Sequence, residues 1–226
     1  MRTLVVPVLS LVAVFSSATV SAESMYEWYV NREGGKLPAL TDASVPPLSP
    51  EWTDNVDFVA LRSAYAQRAD FKKRCESRPN NEYFADTKAG NLQGAADVLE
   101  KWLKQCPIDA LGHVWITGTY GKLAKPDLKN EHALWFFRLT DVVLKGGGDG
   151  KTPQTAYEAI SVSDEKAVLV RLGFPFFVGQ KLTSTAPFVD EVTAKTEDGK
   201  IGTFYFDFRW MFIRNTYELG IAPGSH

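Results

Sequence analysis

Apolar and polar residues alternate with two different periods along this chain, and the change falls at residues 146–152. Before that point apolar residues recur three and four apart, the spacing of one helix face; after it they recur every second residue, as in strands. Val56, Phe58-Val59, Leu61 and Ala64-Tyr65 predict a helix beginning near Asn55, which serves as its N-cap. Arg78-Pro79-Asn80-Asn81 breaks the chain, and Asp86 and Thr87 signal the start of the next helix. Leu92, Ala95-Ala96, Leu99 and Trp102-Leu103 form its stripe, ended by Cys106-Pro107. A third helix is expected over 108–123, and Pro126-Asp127 opens a fourth over 128–144.

Downstream, 156–162 reads as a strand, and Ser163-Asp164-Glu165 begins a short helix through Val168, Leu169 and Leu172 that stops at Gly173. Residues 204–212 read as one long strand with Phe204, Phe206, Phe208, Trp210 and Phe212 on a single face, more naturally core than ligand platform. A three-residue loop, Glu197-Asp198-Gly199 with Gly199 left-handed, joins it to a strand over 188–196. That register sets Val192 opposite Phe204 and Phe188 opposite Phe208. It also places Asp190 on the aromatic face, where an unpaired carboxylate is costly.

These elements predict an α+β fold: N-terminal helical hairpins, degenerate and tetratricopeptide-like, packed on a small C-terminal antiparallel sheet. Ala95, Leu99 and Pro107 keep the tetratricopeptide spacing and Ile116 and Tyr120 continue it, but extra residues put Ala133 and Phe137 out of phase. Too few units are present to make a solenoid. The expected organisation is a signal peptide over 1–22, an extended N-terminal arm over 23–54 pinned by Tyr26, Trp28 and Tyr29, and one α+β domain over 55–226. Its helical part spans 55–145 and its sheet part 153–219.

Export follows from Arg2 ahead of a short apolar run and from Val20-Ser21-Ala22, which a signal peptidase reads, so the mature chain should begin at Glu23. The product is expected to be periplasmic or secreted, with no membrane span once the signal is removed. A formal net charge of −2 with no basic run argues against a nucleic-acid partner. Cys75 and Cys106, the only cysteines, favour a disulfide in an oxidising compartment over a reactive thiol.

The candidate chemistry gathers at the change of period. Gly148-Asp149-Gly150-Lys151-Thr152 is suggestive of a phosphate-binding loop, but G-x-x-x-x-G-K-[ST] puts its first glycine where Lys145 stands, and Pro153 follows at once. The stretch reads instead as a turn able to hold an anion. We expect Asp190 to supply that anion by accepting N–H groups at 148–151 or by pairing with Lys151.

Asp57-Phe58 with Leu61-Arg62 and Tyr65, Cys106-Pro107-Ile108-Asp109 with His113, the Gly148–Thr152 turn leading to Asp164-Glu165, Val189-Asp190 and Tyr205-Phe206 together resemble the DUF4919 family. That family comprises bacterial, mostly exported proteins of unknown function, and Lys166 stands where its pattern has an aromatic. The resemblance implies no activity.

Two readings remain. The first is a binding or accessory module of the cell envelope, whose partner is an envelope protein or small ligand and which needs no cofactor. Its candidate residues are Gly148, Asp149, Gly150, Lys151, Asp164, Glu165, Asp190 and His113. The second is an exported hydrolase in which Asp149, Asp164, Glu165 and Asp190 converge with His113 as acid or base. Against it, Asp164 and Glu165 also suit a helix N-terminus, no G-x-S-x-G is present, and three histidines leave little for a metal site. A deep pocket containing two of those acids would separate the readings.

Overall fold

The computed structural model describes residues 22–41 and 55–220. The expected signal segment up to residue 21, the proline-rich stretch 42–54 and residues 221–226 lie outside it. The amphipathic stripe around Leu99 forms α5, Leu92–Gln105. Its Ala95, Ala96, Leu99 and Leu103 are completely buried. Around it run α2 (Phe58–Ala66), α3 (Phe71–Cys75), α4 (Asn80–Ala89), α6 (Ala110–Lys122) and α7 (Pro126–Leu144). Consecutive members from α4 to α7 pack on one another.

Local chemistry sets the boundaries. Asp57, not Asn55, caps α2 by accepting from Ala60 N at 2.9 Å. Asp86 and Thr87 lie inside α4, which starts after Pro79 and ends at left-handed Gly90; Asn91 then caps α5 through Gly94 N. Pro126 sits at the first turn of α7, where its missing N–H costs nothing. The tetratricopeptide-like spacing is not shown by these helices.

The N-terminal arm is corrected. Residues Ala22–Arg32 form a helix, α1, because the prolines that suggested an extended chain begin only at Pro38. Tyr29 anchors it. Its ring is fully buried and stacks on Phe212 at 4.6 Å, and its hydroxyl donates to Phe188 O at 3.0 Å. Arg32 adds an ion pair to Asp207 at 2.6 Å.

The sheet is also corrected, from antiparallel to mixed. Its order is β1 (Tyr157–Glu158), β4 (Ile201–Asp207), β3 (Asp190–Lys195), β2 (Phe176–Leu182), with β1 parallel to β4 and the other pairs antiparallel. β1 is two residues long because Ser161 already caps the next helix, α8 (Val162–Arg171), through Asp164 N. Gly199 adopts φ +86°, and Val192 does pair with Phe204. The expected long strand stops at Asp207, whose carboxylate accepts from Arg209 N at 3.0 Å and turns the chain into α9, Arg209–Glu218. Phe208, Trp210 and Phe212 therefore leave the aromatic row for the helical core, and the expected Phe188–Phe208 strand pair is absent from the register. Val192, Ala194 and Phe206 form a smaller core with Val168 and Leu169 of α8.

Cys75 and Cys106 are bonded, with Cα atoms 5.2 Å apart, fastening the end of α3 to the end of α5. The bridge spans 31 residues. Reducing it is expected to cost roughly 3–4 kcal/mol in the chain-entropy picture. Urea unfolding with and without reductant reads that loss directly, and coincident midpoints would contradict it.

Candidate functional site

The glycine turn is built by packing. A Cβ on Gly148 would lie 2.4 Å from both Thr155 O and Ala156 O. At Gly150 φ is +65°, and a Cβ would lie 2.1 Å from the Tyr157 ring. Gly150 N donates to Thr155 O at 2.7 Å, and Gly150 O accepts from Tyr205 N at 2.9 Å, so the turn is stitched to the edge of β4. The anion it holds is its own Asp149, which accepts from Lys151 N at 3.1 Å and Thr155 Oγ1 at 2.6 Å. Those bonds hold the Asp149 carboxyl below the usual range. Lys151 is exposed, with its ammonium 3.7 Å from Asp149. The expected bond from Asp190 to this turn is thus corrected. An aspartate one residue before the glycine reaches the backbone two residues on, and leaves Asp190 no role there.

Asp190 meets α8 instead. Asp164 and Glu165 both lie in the first turn of α8 and both are buried, but they are compensated differently. Asp164 accepts from Arg62 Nη2 at 2.7 Å and Ile160 N at 3.1 Å, a paired and hydrogen-bonded carboxylate. Glu165 is 1% exposed, and neither carboxyl oxygen has a hydrogen-bond partner among the described residues. The half-buried Asp190 faces it, with Gln180 of β2 as the other neighbour. Burial first, and the Asp190 charge second, push Glu165 well above the usual carboxylate range. Burial pushes Asp190 up to about 6.

His113 belongs to a different place, which corrects its grouping with the acids. It is fully buried between α6 and α7, with Nδ1 at 2.9 Å from His132 Nδ1 and Nε2 at 2.9 Å from Pro107 O. A carbonyl only accepts, so His113 carries its proton on Nε2 and its Nδ1 accepts from His132. His132 Nε2 then faces Glu100 at 2.9 Å, and Tyr120 donates to the same carboxylate at 2.8 Å. Burial, with His132 beside it, lowers His113 to about 3 and keeps it neutral. Among the described residues no set of three or more His, Cys, Asp and Glu side chains is placed to hold a metal ion.

A hollow lies elsewhere again: an open cleft of about 500 Å³ between the α3–α4 connection, the start of α8 and α9. Its polar lining includes Lys72, Arg78 and Lys166, the carboxylate Glu76, and the neutral Asn80 and Asn215, with Ser161 and Ser163 at the start of α8. Its wall is held by Asp109, itself 5% exposed, which the sequence offered only as part of a short motif. Asp109 accepts from Arg78 Nη1 at 2.8 Å, Trp102 Nε1 at 2.7 Å, Ser163 Oγ at 2.7 Å and, as the α6 cap, Gly112 N at 3.2 Å. Arg78, read from sequence only as a chain break, also covers the Trp115 ring at 4.3 Å. Asp149, Asp164, Glu165, Asp190 and His113 do not line this cleft. Asp164 touches a second hollow of only about 10 Å³. No protein-family model, curated protein or solved structure matches the chain.

Proposed function

We propose that this is an exported, non-catalytic binding or accessory module of the bacterial cell envelope, and that it takes a small polar ligand in the cleft beside the start of α8. The observation that carries the reading is the separation of chemistry from space. The roughly 500 Å³ cleft beside α8 has the cations Lys72, Arg78 and Lys166 and the carboxylate Glu76 on its walls, and none of the four acids, Asp149, Asp164, Glu165 and Asp190, that hydrolysis would use. A cavity with a few convergent polar groups is the usual form of a ligand site. Export is supported by the leader pattern of the first residues and by the buried Cys75–Cys106 bridge, which suits an oxidising compartment. Among the described residues no helix is long and apolar enough to cross a membrane. The resemblance of the sequence to the DUF4919 family, whose members are mostly exported, supports export and leaves the activity open.

The test uses the mature protein and an Asn215→Trp variant. Asn215 is exposed on the cleft wall, so the indole fills the space without disturbing the core. After equilibrium dialysis against envelope extract, mass spectrometry should find a small molecule retained by the wild type and lost by the variant. Equal retention by both would move the site away from the cleft. No retention by either would remove the binding reading.

A further inference from the structure

We propose that Glu165 of α8 and Asp190 of β3 form a proton-operated latch: with a proton between them they hold α8 on the sheet, and with both ionised they push it away, moving the cleft wall that α8 begins. The latch stands on the isolation of Glu165. Two ionised carboxylates are acceptors only, so nothing bonds them until one carries a proton. No Lys, Arg or His makes an ion pair with either acid among the described residues. The charges that could intervene are engaged elsewhere. On α8 itself, Asp164 is held by Arg62 of α2, and the Lys166 ammonium lies 5.5 Å from the Phe177 ring centre on β2. From α1, Tyr29 approaches Asp190 but its hydroxyl donates to Phe188 O. From α7, Asp141 meets Arg171 at the far end of α8 at 3.6 Å, and from α6, His113 is bonded to His132. Gln180 on β2 is the neutral neighbour of Asp190.

The coupling to the cleft is covalent and short. Ser161, Val162 and Ser163 form the start of α8 and line the cleft, as does Lys166, the residue after Glu165. A helix one turn of which is pressed off β3 therefore carries that wall with it. The sign follows from both carboxyls titrating above their ordinary range, Asp190 at about 6 and Glu165 displaced in the same direction. Below the ordinary carboxylate range folded and unfolded chains are both protonated, and the latch contributes fully. As pH rises the unfolded chain releases its protons first, and the stabilisation is lost through pH 6 and above.

The experiment is amide hydrogen exchange on the mature protein from pH 5 to pH 8, corrected for the intrinsic rate, on wild type, Glu165→Gln and Asp190→Asn. In the wild type the opening constant of residues 162–171 should rise by about tenfold per pH unit across the window for each proton the latch retains. Either amide variant should flatten that rise. Should Glu165→Gln fail to fold, Asp190→Asn and the wild-type slope decide alone. A flat wild-type profile would overturn the latch, as would equal slopes in the variants or a rise spread evenly into α5. Opening that follows calcium or magnesium concentration at fixed pH would also overturn it, by making the pair a cation site.

Discussion

Asp109→Ala should cost about 3–5 kcal/mol, the loss expected when one partner of a buried ion pair is removed. The side chain accepts from four elements at once: Arg78 ahead of α4, Trp102 of α5, the Gly112 amide of α6 and Ser163 of α8. Without it the Arg78 guanidinium, 11% exposed, loses its only ion-pair partner among the described residues, and the Trp102 indole N–H is left unmet. Unpaired donors of that kind carry the full cost of desolvation. The α6 cap goes at the same time, worth roughly 1 kcal/mol by itself. Asp109→Asn is milder, because one oxygen still accepts, but its amide nitrogen now faces donors. Urea unfolding followed by tryptophan fluorescence measures both changes. A loss under about 1 kcal/mol for the alanine variant would show that this junction is not what joins α8 to the helical body.

How far the sequence disclosed this arrangement depended on whether a residue's partner was local. The α5 stripe and the start of α7 at Pro126 follow from spacing and proline geometry, and both are present. The β3–β4 register was legible because Glu197-Asp198-Gly199 pins it. The same register exposed Asp190 as a misplaced acid, rightly, but not its neighbour, because only the tertiary fold brings α8 across β3. A signal for Glu165 did exist. It stands three, four and seven residues before Val168, Leu169 and Leu172, on the apolar side of its helix, so its charge was addressed to the core and not only to the helix dipole. β2 leaves no clear signal in the sequence, because Phe176 and Val178 are exposed apolar residues on an edge strand and Gly179 interrupts any alternation. In 204–212 the aromatic alternation runs on past the end of the strand at Asp207. Trp210, Ile213 and Arg214, with Tyr217 beyond, keep helical spacing, and Asp207 supplies the break between the two periods. Arg214 confirms the helical face by donating to Ala66 O and Ile160 O from a site 2% exposed.

Gly148→Ala should destabilise the protein by roughly 2–4 kcal/mol, more than the same change at Gly147, which should cost about 1–2 kcal/mol. The two neighbours separate backbone strain from collision. Gly147 has φ +118° but open space where a Cβ would go, so alanine there meets only conformational strain. At Gly148 the obstacle is the carbonyl oxygens of Thr155 and Ala156, both 2.4 Å away, and backbone oxygens cannot rotate aside as a side chain can. Relieving that contact means shifting the segment that leads into β1, and with it Tyr157, whose ring lies against Phe206 in the smaller core. The disturbance reaches the strand that pairs with β3. The same geometry accounts for the turn's indifference to nucleotide. Gly150 N and Lys151 N are already given to Thr155 O and Asp149, and a triphosphate would have to displace a carboxylate covalently attached to the turn. Thermal melts of wild type, Gly147→Ala and Gly148→Ala, each with and without magnesium ATP, test both halves together. The structural account requires the larger loss at 148 and no upward shift with nucleotide in any of the three, since a ligand that binds only the folded state must raise the melting temperature. A reproducible rise in the wild type that disappears in Gly148→Ala would make the turn a phosphate site after all.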